Sequence, residues 1–338
     1  MRAFVIEETD GVLFCGVRER DAAASDDGDV HVDVEYSSVN FKDEMVASAP
    51  SRVRRVASLV GGVDAAGVVT ASANAELAVG QVVAVGQVVA VHGGNLGVGR
   101  DGGFATELFA PPRYVSPLPA PLSARDAMVI GTAGFTAMAS VLALEERGLK
   151  EGATVVVTGA TGGVGSQAVH YLALRGYRPV ASTGSRDHAV WLEQLGAVEV
   201  IGRDEISARP ERVLDTERWD GAVDCVGGAT LHSILRSLKY GAAVAASGLV
   251  ASAELTTTIY PFITRGVALL GIDAVEATST TRQRVWRSLA DLSPTIDFAA
   301  LTDSEVTLDD LPRALEAVRT GVTRGRILVR TRPSSSEV

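Results

Sequence analysis

Cysteine is nearly missing from this 338-residue chain. Cys15 and Cys225 are too few for a disulfide framework or a four-cysteine zinc site, and each reads as a plain core or strand residue. Lysine is almost as scarce, confined to Lys42, Lys150 and Lys239, while arginine is abundant, a bias we read as a coding preference. The net charge is −10, so no basic field exists to attract nucleic acid, and that class of partner is excluded. No apolar run long enough to span a bilayer stands out, and the N-terminus lacks a signal-peptide pattern. The expectation is a cytoplasmic protein with no membrane partner. The remainder, 46% hydrophobic and 21% charged, is ordinary for a globular protein, and the length favours two domains.

The chain is organised around Thr154-Val-Val-Val-Thr158-Gly159-Ala160-Thr161-Gly162-Gly163-Val164-Gly165-Ser166. A β-branched run enters a glycine-rich turn, which opens into a helix that Gly176 stops. Residues 177–183 read as the next strand. Glycines let the backbone approach a pyrophosphate, whose charge then meets the unsatisfied N–H groups of the helix start. Between a strand and a helix, with a second strand following, the pattern is a strong dinucleotide signal. Ala160 stands where the usual G-x-G-x-x-G has its first glycine. At the end of the second strand an NAD site places a carboxylate for the ribose 2′-hydroxyl. Here the order is Ser182-Thr183-Gly184-Ser185-Arg186, hydroxyls and a cation, which suits a 2′-phosphate and points to NADPH. A solvated Arg186–Asp187 pair is the bland alternative.

On the N-terminal side of this unit the sequence is β-rich. Residues 1–6 and 30–36 alternate as half-buried strands around a turn-rich stretch at 24–29. Ser37-Ser-Val-Asn40-Phe41-Lys42-Asp43 leads into a short helix, and 60–69 is a strand with glycine corners. The hexamer Val79-Gly-Gln-Val-Val-Ala repeats at once as Val85-Gly-Gln-Val-Val-Ala, either as extra strand or as an inserted turn. A glycine-rich loop at 92–103, equally apt for lining a site or for turn chemistry, precedes a strand at 104–109. Prolines from Pro111 to Pro121 mark a boundary. Beyond it strands and helices alternate. Residues 124–144 are helical but broken at Gly131-Thr132-Ala133-Gly134. The stretches 198–201, 221–226, 242–246 and 267–272 read as parallel strands buried on both faces, with a helix at 230–238. Helices at 282–292 and 311–319, a strand at 325–330 and a loose tail at 333–338 complete the chain. The fold class is α/β: a β-rich domain and a doubly wound parallel sheet, with a substrate cleft between them.

Four runs carry a resemblance: Ser38-Val-Asn-Phe-Lys-Asp43, Ile130-Gly-Thr-Ala-Gly-Phe-Thr-Ala-Met138, Val157-Thr-Gly-Ala-Thr-Gly-Gly-Val-Gly165, and Pro261-Phe-Ile-Thr-Arg265 with Leu270-Gly-Ile-Asp273. In this order they resemble the medium-chain dehydrogenase/reductase superfamily, in its zinc-free quinone-oxidoreductase-like group and the acryloyl-CoA reductase branch. The resemblance implies a GroES-like catalytic domain over 1–123, a Rossmann NADPH-binding domain over 124–265, and a last strand with a return to the catalytic domain over 266–338. It implies a homodimer and reduction of an activated carbon–carbon double bond. Zinc-dependent relatives carry cysteine where Asn40 stands and Gly-His-Glu where this chain has Gly62-Val63-Asp64, so no metal is expected. The family has proline where Gly61 stands and a tryptophan near Asp101, departures that touch the substrate side.

By the same resemblance, Thr161, Gly162, Gly163 and Val164 bind the pyrophosphate, and Thr183, Gly184 and Ser185 approach the 2′-phosphate. Arg186 follows with one residue intervening. Arg203 matches a second residue on the adenosine side, while Phe41, Leu249 and Ile263 match positions around the nicotinamide half; core packing is the alternative for these three. A thioester-conjugated alkene accepts hydride at its β-carbon, and the protein must offer donors to the carbonyl oxygen. Asn40 and Asp43 on the catalytic domain and Thr132 on the cofactor domain are the candidate catalytic groups, Asn40 as donor or positioner and Asp43 as its orienter. For Asn40 and Asp43 the alternative is a capped helix start. Arg52, Arg54, Arg55, Arg282, Arg284 and Arg287 form two basic clusters that would suit CoA phosphates. The leading expectation is an NADPH-dependent reductase of a short 2-enoyl-CoA such as acryloyl-CoA. A quinone or free enone reductase is the sibling reading, and a non-catalytic NADPH-binding protein the reading of another class.

Overall fold

The computed structural model describes residues 1–22, 29–72, 76–77, 81–207 and 212–332. Most of the expected turn at 24–29, the start of the tandem hexamer and the tail at 333–338 lie outside them. Two compact units result. One comprises Met1–Thr132, Ala274–Ser293 and Thr302–Val338, the other Ala133–Asp273 and Pro294–Leu301.

The first unit is built on two main sheets, with the short pair Glu76–Leu77 and Gln81–Val82 apart from them. Arg2–Thr9 pairs antiparallel with Val12–Glu19 across Asp10-Gly11, both at positive φ, and with Ser58–Val60 on its other side. Such a two-residue turn matches the twist of the strands it joins. The larger, seven-stranded sheet runs in the order Val115–Pro117, Val88–His92, Asp64–Ser72, Val30–Val39, Arg326–Arg330, Thr302–Thr307, with Glu107–Ala110 also on Val30–Val39. Alternation puts Val30, Val32 and Val34 inward against Val69, Val89, Val91 and Leu108.

The strand expected at 60–69 is two strands. Gly62 breaks it with φ +97, and a Cβ there would lie 2.6 Å from the Phe104 nitrogen. The turn passes the chain from the small sheet to the large one, with Asp64 first on the new strand. Beneath it the glycine-rich loop does structural work: Gly102 donates to Val60 O, Gly103 donates to Gly62 O, and the Asp101 carboxylate accepts from the Val60 N–H at 2.8 Å. Of the hexamer's two alternatives, the inserted turn is the one found. Gln81–Val82 is a short strand, the chain reverses at Gly86, and Val88–His92 continues.

The second unit carries six parallel strands in the order Glu199–Gly202, Arg178–Thr183, Thr154–Thr158, Trp219–Asp224, Leu238–Ala246, Ala268–Gly271. This order reverses direction at Thr154–Thr158, the switch point where doubly wound sheets bind ligands. The central strands are buried, Val155, Val156 and Val157 completely. The outer two are not buried on both faces as expected, because an edge strand has only one neighbour; Leu269 is 39% exposed.

The helix Ala124–Glu146 is interrupted at Gly131, which adopts φ 54 and ψ −165. The two units divide there, after Thr132, so residues 124–132 and the site residue Thr132 fall in the first unit. Contrary to the sequence expectation, this one helix is long and apolar enough to cross a bilayer by length and composition; 83% of its apolar window is buried within the protein, as for a core helix.

Candidate active site

In the second unit the glycine loop has the shape the spacing requires. Gly159, not residue 160, takes the positive φ (+60), so the buried Ala160 tolerates its methyl where other chains have glycine. Ala160 donates its N–H to Ser182 O, tying the loop to the neighbouring strand. The helix Gly163–Leu174 begins after Gly162 and packs hard on the loop. A Cβ at Gly165 would stand 2.3 Å from Gly159 O. Asp224 anchors the loop from the next strand, accepting from the Thr158 hydroxyl at 2.6 Å and from the Gly227 N–H at 2.8 Å. Burial pushes its carboxyl above the usual range, and these hydrogen bonds pull the other way. Thr161, Gly162, Gly163 and Val164 thus lie at a partly exposed helix start, on a loop that approaches the helix too closely for a Cβ at Gly165, a fit for a dinucleotide pyrophosphate.

The residues expected at the adenosine end gather around Thr183. Its hydroxyl lies 3.4 Å from that of Thr161 and accepts from the Ser185 N–H at 3.0 Å. The Arg203 guanidinium lies against Gly184, and Arg186 reaches back over Gly202. Arg186 does not pair with Asp187; its partner is Glu205, at 2.7 Å. No ion pair of Arg203 is found among the described residues. Leu249 and Ile263 are 55% and 69% exposed and Phe41, in the first unit, 44%, so none of the three is a core residue.

In the first unit a polar cluster forms where three backbone segments converge on Asp64. This carboxylate is completely buried and is met only by donors: the Ser38 N–H (3.1 Å) and hydroxyl (2.8 Å) on one oxygen, Asn40 Nδ2 (2.9 Å) and the Thr132 N–H (3.0 Å) on the other. Arg326, 2% exposed, places its guanidinium 3.8 Å away and donates to Val39 O, Val129 O, the Ser38 hydroxyl and Asn40 Oδ1. Gly131 makes this possible, since a Cβ there would come within 2.5 Å of Arg326 Nη2 and 2.8 Å of Asp64 Oδ2. The kinked helix therefore delivers the Thr132 N–H into the cluster.

Asp43 caps the helix Phe41–Ala47. Its carboxylate accepts from the Asn40 N–H at 2.7 Å and from the Val63 N–H at 2.9 Å. Burial and then the Asp64 charge push it up to about 7, while those hydrogen bonds pull it down. The capped helix start expected as the alternative for Asn40 and Asp43 is therefore present, as a capping box between the two, with Val63 joined to it. Asp64, Ser38, Arg326 and Gly131 were not singled out as site residues from sequence. The signals available were two charged residues in apolar runs, Asp64 within 60–69 and Arg326 before Ile-Leu-Val.

A metal does not fit this cluster. Asn40 and Val63 offer neither thiolate nor imidazole, Asp64 is engaged by donors, and a guanidinium already supplies the positive charge. Among the described residues no group of three or more His, Cys, Asp or Glu side chains is arranged to hold an ion. Two of the six clustered arginines are structural. Arg54 bonds Val46 O and Glu8, and the buried Arg282 bonds the His92 and Val275 carbonyls. A cavity of about 300 Å³ in the first unit, lined by Arg113, Arg282, Trp286 and Arg287 among others, includes two of the clustered arginines but none of the expected catalytic or coenzyme-binding residues.

A β-rich unit bearing a polar cluster and a doubly wound unit with a glycine loop at its switch point, in one chain, define a dehydrogenase-type fold. Residues 26–120 match the alcohol dehydrogenase GroES-like domain, and residues 163–291 match the zinc-binding dehydrogenase family. YhfP of Bacillus subtilis, whose name places it provisionally among quinone oxidoreductases, is 44% identical over 89% of this chain and 90% of its own. Its crystal structure, with NAD bound, superposes with a TM-score of 0.92 over 98% of this chain and 99% of that one, at 41% identity. The acrylyl-CoA reductase AcuI of Ruegeria pomeroyi is 41% identical over 89% of this chain and 90% of its own. The yhdH oxidoreductase of Salmonella enterica, solved with NADP, gives 37% identity and a TM-score of 0.92 over 98% of this chain and all of that one. The chain belongs to the medium-chain dehydrogenase/reductase superfamily, in the quinone-oxidoreductase-like group that contains the AcuI acryloyl-CoA reductases.

Proposed function

We propose that this protein is an NADPH-dependent reductase of the carbon–carbon double bond of a short 2-enoyl-CoA such as acryloyl-CoA, working without metal. The observation that carries the reading is the cationic end of the dinucleotide site, Thr183, Gly184, Ser185, Arg186 and Arg203, in a chain so similar to AcuI. Thr161 to Val164 hold the pyrophosphate, and Arg203 and Arg186 take the 2′-phosphate. Bound NADPH supplies hydride to the β-carbon of the thioester-conjugated alkene, charge passes to the carbonyl oxygen, and the α-carbon then takes a proton from water. Asn40, Asp43 and Thr132 serve the substrate side, and the resemblance assigns the exposed Phe41 of the first unit and Leu249 and Ile263 of the second to the nicotinamide half. A homodimer is the assembly we favour, because the exposed edge strand Ala268–Gly271 invites pairing with a second copy, and the cytoplasm is the location we propose for it.

The quinone or free enone reading stays as the second one, favoured by the likeness to YhfP, and the NAD in that structure makes NADH the competing coenzyme. Oxidation rates of NADPH and NADH against acryloyl-CoA, crotonyl-CoA, a free enone and a quinone separate these readings. The expected result is fastest turnover with NADPH and acryloyl-CoA. Coenzyme binding with no oxidation by any acceptor would overturn the enzyme reading in favour of a non-catalytic binder.

A further inference from the structure

We infer that the first unit carries a second ligand site, for a phosphorylated nucleoside, in the cavity between the edge strand Val115–Pro117 and the helix Ser279–Leu292. Two periodicities build it. On the edge strand Val115 faces the core with Val89 and Val91, so Ser116 turns to the opposite face and lines the cavity. Pro112, Pro117 and Pro119 add a wall whose φ angles are fixed before any ligand arrives. On the helix, Ser279, Gln283 and Arg287 recur every fourth residue, one line of side chains beside the buried Arg282 and Trp286. Side chains on a helix lean toward its N-terminus, so Arg287 leans back over Gln283.

Charge sets the class of ligand. The lining holds three guanidiniums and no carboxylate, in a chain whose net charge is −10. Arg282 is held by the carbonyls of His92, Val275 and Ala277, so direct contact falls to the other two. Arg113 and Arg287 are exposed, and among the described residues neither guanidinium has an ion pair or a hydrogen bond; Arg113 lies over the Tyr114 ring at 4.6 Å. Other exposed arginines, Arg18, Arg186 and Arg319 among them, meet a carboxylate. Two such cations suit a group with more than one negative charge, and a phosphate monoester carries about −1.5 to −2 at pH 7. The Ser116 and Ser279 hydroxyls and the Gln283 amide supply both donors and acceptors for a base or a ribose, and the prolines an apolar surface for a ring. A volume of about 300 Å³ lies at the small end of ligand pockets, roughly 300–1,000 Å³, which suits one nucleotide rather than a dinucleotide.

Two sources share this chemistry: the phosphorylated adenosine end of a CoA thioester, and a free nucleotide that binds apart from the reaction. Only the first rests on the reductase reading.

Isothermal titration calorimetry on the full chain saturated with NADPH, which keeps other nucleotides out of the coenzyme loop, tests the site. The probes are adenosine 3′,5′-bisphosphate, adenosine and inorganic phosphate. The bisphosphate should bind, and the other two at least tenfold more weakly. Arg113→Ala/Arg287→Ala should weaken the bisphosphate tenfold or more, with NADPH affinity unchanged. Should that pair lower the melting temperature, Arg113→Gln/Arg287→Gln gives the same comparison. No binding of the bisphosphate to the saturated wild type, equal affinity in the double variant, or inorganic phosphate binding as tightly as the bisphosphate overturns the inference.

Turnover then separates the sources. If the site holds the substrate's tail, the bisphosphate competes with acryloyl-CoA. The double variant then raises the acryloyl-CoA KM tenfold, while acryloyl-pantetheine, which lacks the nucleotide, keeps its constants. If the site holds a free nucleotide, both KM values stay unchanged and the calorimetric loss remains. A wild type that binds the bisphosphate but reduces neither thioester sinks the reductase reading and leaves the site standing.

Discussion

The Arg203 guanidinium lies against Gly184, so close that a Cβ on that glycine would stand 2.4 Å from Nη2. Arg186, in contrast, is 2.7 Å from Glu205 and has its charge matched. Arg203→Ala should therefore weaken NADPH by about tenfold or more, the roughly 1.5–3 kcal/mol of one charge-assisted bond, and leave NADH unchanged. Arg186→Ala should cost less, because an exposed, already paired cation is worth little. Fluorescence titration of both coenzymes checks this; equal losses for NADPH and NADH would remove Arg203 from the 2′-phosphate site.

Asp43 sets a pH dependence whose sign follows from its burial. Its folded-state pKa of about 7 lies above the ordinary 3.8, so between these values the folded form keeps a proton that the unfolded chain has lost. Stability from this group is thus greatest below about pH 4 and falls as pH rises to about 7, beyond which it is flat. Asp43→Asn cannot ionise. The wild type should lose a few kcal/mol relative to that variant across this window, roughly in line with 1.4 kcal/mol for each pH unit. Denaturant unfolding at pH 4, 5.5, 7 and 8 reads it, and a constant difference between the two proteins would contradict it.

Gly131→Ala combines a left-handed φ with a methyl placed in the Asp64–Arg326 cluster. The backbone alone should cost about 1–3 kcal/mol. Displacement of the Thr132 N–H from Asp64 should lower activity further than the fall in melting temperature accounts for. A variant active at wild-type level would show that the kink serves only the helix.

Activity should survive dialysis against a strong chelator, because the Asn40–Asp64–Arg326 cluster offers no thiolate or imidazole and is already charge-matched. Loss that zinc restores would contradict the metal-free reading.

The sequence by itself determined the local features. The β-branched run into Gly159-Ala160-Thr161-Gly162-Gly163 fixes a strand, a tight turn and a helix start, because φ freedom and orphan N–H groups are properties of a few consecutive residues. The hydroxyls and arginine after the second strand were legible for the same reason. Tertiary structure alone decided which charges meet. Arg186 pairs with Glu205, not with its chain neighbour Asp187, and Arg326 reaches Asn40 and Asp64 from the far end of the chain. Asn40 itself was visible as a site residue, but whether it donates or accepts depends on which way its amide is held. That orientation is set by buried partners on separate strands and a kinked helix, which come together only when the sheet closes.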